Sequence, residues 1–94
     1  MNLRLTPRTC QILRVLLHHS SEWKYGYEIS LKTGVKSGTL YPMLKRLADK
    51  QLLETVWKSG RHGRPHRHLY RLTSAGLEVG RTAVADVAAI KPGL

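Results

Sequence analysis

The sequence predicts a mainly helical α+β domain, and three observations lead to this prediction. Apolar residues recur at helical spacing in four segments, and a short turn separates the second from the third. Two β-prone segments follow the third helix and are joined by a Gly-, Arg- and Pro-rich loop. A short turn between two helices followed by a basic hairpin is typical of a winged helix-turn-helix. We therefore expect this fold, with a two-stranded wing and one C-terminal helix.

The first helix is predicted to begin at Thr6 and Pro7. A Thr hydroxyl can accept a hydrogen bond from a free amide of the first turn, and Pro is tolerated there because its missing N–H would be unpaired anyway. The residues that then fall on one apolar face are Ile12, Leu13, Leu16 and Leu17. We expect this face to pack on the core and the helix to end near His18.

The second and third helices form the predicted helix-turn-helix unit. The second is a short segment around Ile29, closed by Gly34 in the left-handed conformation. The third opens at Ser37 or Gly38 and has Pro42 within about its first turn, where the missing N–H costs little. Its residues at helical spacing, which we expect in the core, are Leu40, Met43, Leu44 and Leu47.

Two strands and a final helix complete the predicted domain, which spans residues 1–94. The strands are residues 53–57 and 68–72, and Tyr70 and Leu72 share the face that packs on the helices. Thr73 caps a helix over residues 74–91, whose apolar stripe is Leu77, Val84, Val87 and Ala88. A chain of this size has little remaining core to cover that stripe, so we expect it to be a dimer interface.

The composition predicts a polyanionic partner. Sixteen Lys and Arg residues against six Asp and Glu give a net charge of +10 on 94 residues, more than solubility requires. No acidic residue occurs from Thr55 to Leu77, and the cations in that segment are Lys58, Arg61, Arg64, Arg67 and Arg71. A solvated loop usually mixes charge signs, so this segment favours contact with nucleic acid over a role in solubility alone.

Several classes of function are not expected. No stretch approaches the roughly 18 apolar residues of a transmembrane helix and no secretory signal is recognisable, so a cytoplasmic protein without membrane contact is expected. No Ser-His-Asp set, carboxylate pair or phosphate-binding loop is present, so we expect neither an enzyme nor a cofactor. His62, His66 and His68 lie among arginines that would repel a cation, so no metal site is expected. The lone Cys10 is more often a buried thiol than a redox sensor.

Three short motifs resemble those of a known family. They are Tyr-Gly-Tyr-Glu-Ile at residues 25–29, Gly-Thr-Leu-Tyr-Pro at residues 38–42 and Tyr-Arg-Leu-Thr at residues 70–73. In this order and spacing they resemble the winged-helix domain of the PadR-like transcriptional regulators, over about residues 8–80. The resemblance implies a homodimeric repressor that binds an inverted-repeat operator through the third helix and the wing. It also implies dimerisation through C-terminal helices, sometimes together with the first helix.

The chain departs from the longer members of this family. It has one helix after the wing and so resembles the short type, which places a large effector-binding domain out of reach. Some short members hold aromatic ligands with Trp side chains at the dimer interface. Neither Trp23 nor Trp57 lies on the last helix, so that pocket is not carried over and a small-molecule effector is left open. Both are expected to be packing or strand-pairing aromatics.

The resemblance and the charge pattern together indicate which residues contact double-stranded DNA. The N-terminal part of the third helix is expected to enter the major groove, and the wing arginines to follow the flanking backbone or enter the minor groove. A solvated helix face is the alternative interpretation of Lys45 and Arg46. The residues expected to contact DNA are Lys36, Ser37, Thr39, Tyr41, Lys45, Arg46, Arg61, Arg64, Arg67 and Arg71.

A second class of function fits the same fold. A winged-helix module can serve in protein assembly, or bind RNA, without an operator of its own. The arginine-rich wing favours nucleic acid over a protein partner, and salt dependence discriminates the two because phosphate contacts weaken steeply with salt. The operator, the regulated genes and the choice between repression and activation are not encoded in any pattern that the sequence displays.

Overall fold

The computed structural model describes residues 6–60, 62–63 and 66–90, with side chains as far as residue 85 in the last helix. Its elements are α1 (Pro7–Leu17), β1 (Lys24–Tyr25), α2 (Gly26–Thr33), α3 (Ser37–Asp49), β2 (Leu53–Lys58), β3 (Arg67–Leu72) and α4 (Ser74–Ile90). The predicted winged helix-turn-helix is confirmed, with β2 and β3 as the strands of the wing. No helix within the described ranges is both long and apolar enough to cross a membrane.

The strands form one antiparallel sheet in the order β1-β3-β2, so β1 adds a strand that the sequence did not predict. β1 is only two residues long, too short to show an alternating pattern, and it pairs Lys24 with Tyr70 and Tyr25 with Leu69. Lys24 is only 3% exposed, and its Nζ donates a hydrogen bond to the carbonyl oxygen of His19 at 3.0 Å. Burial lowers the pKa of Lys24. β1 therefore ties the segment after α1 to the sheet.

Three predicted helix boundaries are confirmed by their capping geometry. The Thr6 hydroxyl accepts a hydrogen bond from the amide of Thr9 at 3.2 Å, at the start of α1. Gly34 ends α2 with φ of 75°, in the left-handed region that glycine adopts without strain. The Thr73 hydroxyl accepts from the amide of Gly76 at 3.0 Å and caps α4.

Pro42 lies about one turn further into α3 than the sequence predicted. α3 begins at Ser37, so Pro42 is inside the helix rather than in its first turn. Its missing N–H leaves the carbonyl of Gly38 without the usual helical donor. Gly38 and Pro42 are both exposed, and water can satisfy that carbonyl. The cost to the helix is therefore smaller than it would be for a buried proline.

The core lies between the three N-terminal helices and the sheet. Six of the eight expected apolar positions of α1 and α3 are buried, as are Tyr70 and Leu72 of β3, whereas Leu17 and Met43 are partly buried against the core. The Cys10 thiol is also buried, in agreement with the packing role expected for it. The side chains that are almost completely inaccessible are Ile12, Leu13, Leu16, Ile29, Leu40, Leu44 and Leu52.

α4 packs on the domain through small residues, together with the partly buried Leu77 and Val79. Of its described side chains, the buried positions are Gly76, Gly80 and Ala83. A Cβ added at Gly76 would lie 3.0 Å from both the carbonyl carbon of Leu52 and Cδ2 of Leu72, whereas one added at Gly80 would lie 3.4 Å from the side chain of Leu17. Small residues let the helix backbone approach β2 and α1 closely.

The four residues predicted to form the dimer interface differ in their surroundings. Leu77 is partly buried against the core of its own subunit. Val84 is half-buried beside α1. The side chains of Val87 and Ala88 lie outside the described residues. An interface on α4 stays a prediction, and Val84 is the described side chain that can test it.

Candidate nucleic-acid interface

The turn between α2 and α3, residues 34–36, is held by side-chain hydrogen bonds. The Ser30 hydroxyl donates to the carbonyl of Val35 at 2.7 Å, and the amide of Val35 donates to the Thr33 hydroxyl at 3.1 Å. The Val35 side chain is buried. These contacts fix the angle between the two helices, so the outer face of α3 points away from the core.

The outer face of α3 carries most of the residues predicted to contact DNA. Leu40, Leu44 and Leu47 face the core, and the helical repeat of about 100° per residue turns the residues between them outward. Thr39 is half-buried at the edge of this face. The exposed residues are Lys36, Ser37, Gly38, Tyr41, Pro42, Lys45, Arg46 and Asp49.

Tyr41 is packed against α2 on one side and open on the other. A Cβ added at Gly26 would lie 2.6 Å from Cε1 of Tyr41, so only glycine leaves room for this ring. The ring is 41% exposed. Burial raises the pKa of Tyr70 to about 12, and the neighbouring Tyr41 adds to the rise. Tyr41 therefore joins α3 to α2 while part of its ring faces solvent.

The two cations in the middle of α3 differ in their partners. Lys45 Nζ lies 3.1 Å from Oδ2 of Asp49, in an exposed pair one helical turn apart. Such pairs contribute only about 0.3–0.5 kcal/mol, so a phosphate can displace the carboxylate. Arg46 forms no ion pair with any residue that the structure describes. Its guanidinium is free to bind an anion.

The wing presents a column of stacked rings. Trp57 on β2 and His68 on β3 are register partners whose ring centroids are 4.2 Å apart at 18°. The Tyr70 hydroxyl lies 3.0 Å from His68 Nδ1. Burial lowers the pKa of His68, which favours the neutral form of its ring. Trp57 is the strand-pairing aromatic that the sequence predicted, yet it is 63% exposed.

Arg67 and Arg71 were both predicted to contact DNA, and their surroundings differ. Arg67 is exposed, with its guanidinium 4.9 Å from the ring centroid of Tyr25. Arg71 Nε lies 3.2 Å from Oε2 of Glu54, and its guanidinium lies 4.2 Å from the ring centroid of Trp23. Arg71 also donates to the carbonyl of Ser21 at 3.3 Å. Arg71 thus joins β3 to β2 and to the segment before β1.

Within the described ranges, no three His, Cys, Asp or Glu side chains come together in a group that could hold a metal ion.

Arg61 and Arg64, two further predicted DNA contacts, lie outside the described residues. The wing residues available for the interface are therefore Trp57, His66 and Arg67, with Lys58 at the end of β2.

Replacing Arg71 with alanine should lower the free energy of unfolding by about 1 kcal/mol. Partly exposed ion pairs and cation–π contacts each contribute roughly 0.5–1 kcal/mol, and Arg71 makes one of each. Urea denaturation followed by circular dichroism measures the change. Lys45→Ala, which breaks a more exposed pair, is the control and should change stability by less than about 0.5 kcal/mol. Equal stability of Arg71→Ala and the parent chain would contradict a structural role for Arg71.

α3 lies between two concave surfaces of similar size. The wing-side groove, about 650 Å³ in volume, is lined by residues that include Tyr25, Tyr27, Tyr41, Trp57, His66 and Arg67. The α1-side cleft, also about 650 Å³, is lined by residues that include Thr6, Arg8, Thr9, Thr39, Met43 and Arg46. Among the residues that the structure describes, no carboxylate lines either surface. Both are suited to an anionic partner.

Arg8 and Tyr27 are among the exposed lining residues that the sequence did not predict to contact DNA. The sequence carries an unusual feature at each of these two positions. Arg8 is in the first turn of α1, where a cation opposes the helix dipole and an acidic residue is the usual choice. Tyr27, Ile29 and Leu31 are two residues apart, so a helix cannot bury all three, and Tyr27 is 72% exposed. An unfavourable local placement is therefore the feature of the sequence that distinguishes these two residues.

Comparisons with known proteins agree with this geometry. The sequence model of the transcriptional regulator PadR-like family matches residues 12–81. The structure of a PadR family transcriptional regulator from Eggerthella lenta is 31% identical in sequence to this chain, with a TM-score of 0.72. The match covers 92% of this chain and 80% of the Eggerthella lenta chain. A PadR-like transcriptional regulator from Bacillus cereus is 32% identical, with a TM-score of 0.69. That match covers 87% of this chain and 82% of the Bacillus cereus chain.

A more distant structure shares the fold. MepR from Staphylococcus aureus, a transcription regulator of a multidrug efflux pump, is 17% identical, with a TM-score of 0.74 over 92% of this chain and 60% of its own. At this identity the likeness shows a common fold alone. No curated protein sequence matches the chain.

Proposed function

Because the chain belongs to the transcriptional regulator PadR-like family, we propose that it is a sequence-specific regulator that binds double-stranded DNA. We further propose that it acts as a dimeric repressor at an inverted-repeat operator. The observation that carries the proposal is the exposed face of α3, which lies between two surfaces without carboxylates on a chain of net charge +10. Such a face attracts the phosphates on both sides of a groove.

In this proposal α3 enters the major groove and provides the base contacts. Thr39, Lys45 and Arg46 supply a hydroxyl, an ammonium and a guanidinium, which can reach base edges or phosphates. Lys36 and Ser37, at the N-terminal end of α3, contact phosphates. The exposed side of Tyr41 faces the DNA backbone from the wing-side groove, while the hydroxyl end of its ring packs on Gly26 and keeps α3 in place.

The wing contributes affinity more than sequence recognition. Arg67 lines the wing-side groove and is exposed, so it can bind a phosphate next to the bases contacted by α3. Arg61 and Arg64 extend this contact along the flanking DNA in the proposal, on the strength of their positions in the sequence. Arg71 stabilises the wing through its ion pair with Glu54 and its contact with the Trp23 ring. We propose that this structural role outweighs any contact of Arg71 with DNA.

Two subunits related by a two-fold axis would place two copies of α3 in successive major grooves. Half-sites about one helical turn apart then follow from the symmetry of the dimer, and the operator is an inverted repeat. We propose that α4 forms the subunit contact, because seven of the eight residues from Ala83 to Ile90 are apolar.

Selection from a random duplex library, followed by affinity measurements on the selected duplex, tests this proposal. We expect a single enriched inverted repeat, and a log affinity that falls linearly with log salt concentration. Thr39→Ala, Tyr41→Phe and Lys45→Ala then test α3. At least one should relax the preference at a defined base position, since a base contact discriminates by about 1–3 kcal/mol. Tyr41→Phe keeps the ring that packs on Gly26.

Lys32→Ala is the matched control for these substitutions. Lys32 is an exposed lysine on α2 that pairs with Glu28 at 3.2 Å, as Lys45 pairs with Asp49 on α3. It should leave the selected sequence unchanged. Unaltered specificity in all three α3 variants would show that α3 is not the recognition element. Failure to enrich any duplex, with tight binding to structured RNA or to a protein, would favour the alternative class of function.

A further inference from the structure

We propose that the α1-side cleft seats the sugar-phosphate backbone of one DNA strand, so that α1 is a third DNA-contacting element beside α3 and the wing. The inference rests on the proposed function, because it places α3 in a major groove. Arg8 and Arg46 bind the phosphate, and both line the cleft.

The two concave surfaces lie where a duplex requires them. The B-DNA major groove is about 12 Å wide, close to the diameter of a helix with its side chains, and a phosphate backbone runs along each side of it. Tyr41 lines the wing-side groove and Arg46 the α1-side cleft. They are five positions apart in the sequence, which places them about 140° apart around the helix axis. One backbone can therefore enter each surface.

The chemistry of the cleft suits a phosphodiester. Its two guanidinium groups can each donate two parallel hydrogen bonds to phosphate oxygens. Neither Arg8 nor Arg46 is ion-paired with a carboxylate in the part of the chain that the structure describes. The hydroxyl of Thr39 lines the same cleft and can donate a further hydrogen bond. A bound phosphate would neutralise charge and accept hydrogen bonds from both guanidinium groups at once.

The position of Arg8 is explained by such a ligand. α1 has no acidic residue in its first turn, so the cation there opposes the positive end of the helix dipole without compensation. The Thr6 hydroxyl already caps that turn by accepting from the amide of Thr9, and the two hydroxyls lie 2.9 Å apart. The arginine side chains, together with the Thr39 hydroxyl, are therefore the groups that we assign to the phosphate.

Arg8→Ala tests the inference, with Arg14→Ala as its matched control. Arg14 is an exposed arginine of the same helix, but it lines a separate surface beside Val84. On the duplex that the parent chain selects, Arg8→Ala should bind about tenfold more weakly. Its plot of log affinity against log salt should be flatter by about one unit per subunit, while Arg14→Ala matches the parent chain. Circular dichroism should show equal folding in all three.

Replacement of single phosphates by neutral methylphosphonates assigns the contact to a strand. The parent chain should lose affinity when linkages on either side of each half-site are neutralised. Arg8→Ala should become less sensitive to linkages on one strand of the half-site, because Arg46 alone then remains to bind the phosphate, and Arg67→Ala should become less sensitive to linkages on the opposite strand. Loss of sensitivity at the same phosphates in both variants would overturn the inference.

The inference and the proposed function can fail separately. If the parent chain selects a duplex but Arg8→Ala binds it with unchanged affinity and salt dependence, the cleft does not hold DNA and the proposed function stands. If the parent chain selects no duplex, the proposed function fails and the inference falls with it.

Discussion

Replacing Gly76 with alanine should lower the free energy of unfolding by about 3 kcal/mol, at the upper end of the usual cost of overpacking. The added Cβ would meet the backbone carbonyl group of Leu52 and approach Cδ2 of Leu72 to 3.0 Å. The carbonyl belongs to the segment leading into β2 and accepts a hydrogen bond from the amide of Thr73 at 3.0 Å, so it cannot move aside without breaking that bond. Urea denaturation of the purified variant measures the change.

Gly80→Ala is the control, one helical turn further along α4. Its Cβ would lie 3.4 Å from the flexible side chain of Leu17, which is an ordinary contact. The variant should be as stable as the parent chain or more stable by up to about 1 kcal/mol, because alanine is the better helix former. Equal stability of the two variants would contradict the close approach of α4 to the start of β2.

Replacing Val84 with glutamate should weaken self-association by about 100-fold or more without unfolding the domain. Burial of an unpaired carboxylate in an apolar interface costs several kcal/mol, and about 2.7 kcal/mol already corresponds to 100-fold. Val84 is half-buried in the single subunit, and the sequence around it, Ala83 to Ile90, contains one polar residue, Asp86. Sedimentation equilibrium over a range of concentrations measures the dissociation constant.

Thr82→Glu provides the comparison for Val84→Glu. Thr82 is exposed and lies about 200° from Val84 around the helix axis, so the same charge is placed on the opposite side of α4. It should leave the dissociation constant unchanged. A dimer that survives Val84→Glu with its affinity intact would place the subunit contact elsewhere, and the geometry proposed for the inverted repeat would need revision.

The sequence by itself determined the local structure of this protein. The caps at Thr6, Gly34 and Thr73 and the buried leucines of α3 were predictable because they depend on backbone dihedral angles and on the helical repeat, which act over a few neighbouring residues. The three motifs at residues 25–29, 38–42 and 70–73 likewise indicated the family that the comparison with residues 12–81 shows.

Only the tertiary structure decided how distant segments meet. Arg71 contacts the carbonyl of Ser21, 50 residues away, so its partners could not be inferred from its place in a basic segment. The same holds for β1, which is too short to show a pattern and forms only because β3 offers a free edge. The packing face of α4 depends on how closely its backbone approaches Leu52, and Gly76 rather than Leu77 allows that approach. The partners of a long side chain, the formation of a short edge strand and the distance between two backbones all depend on residues far apart in the chain. No local sequence pattern encodes them.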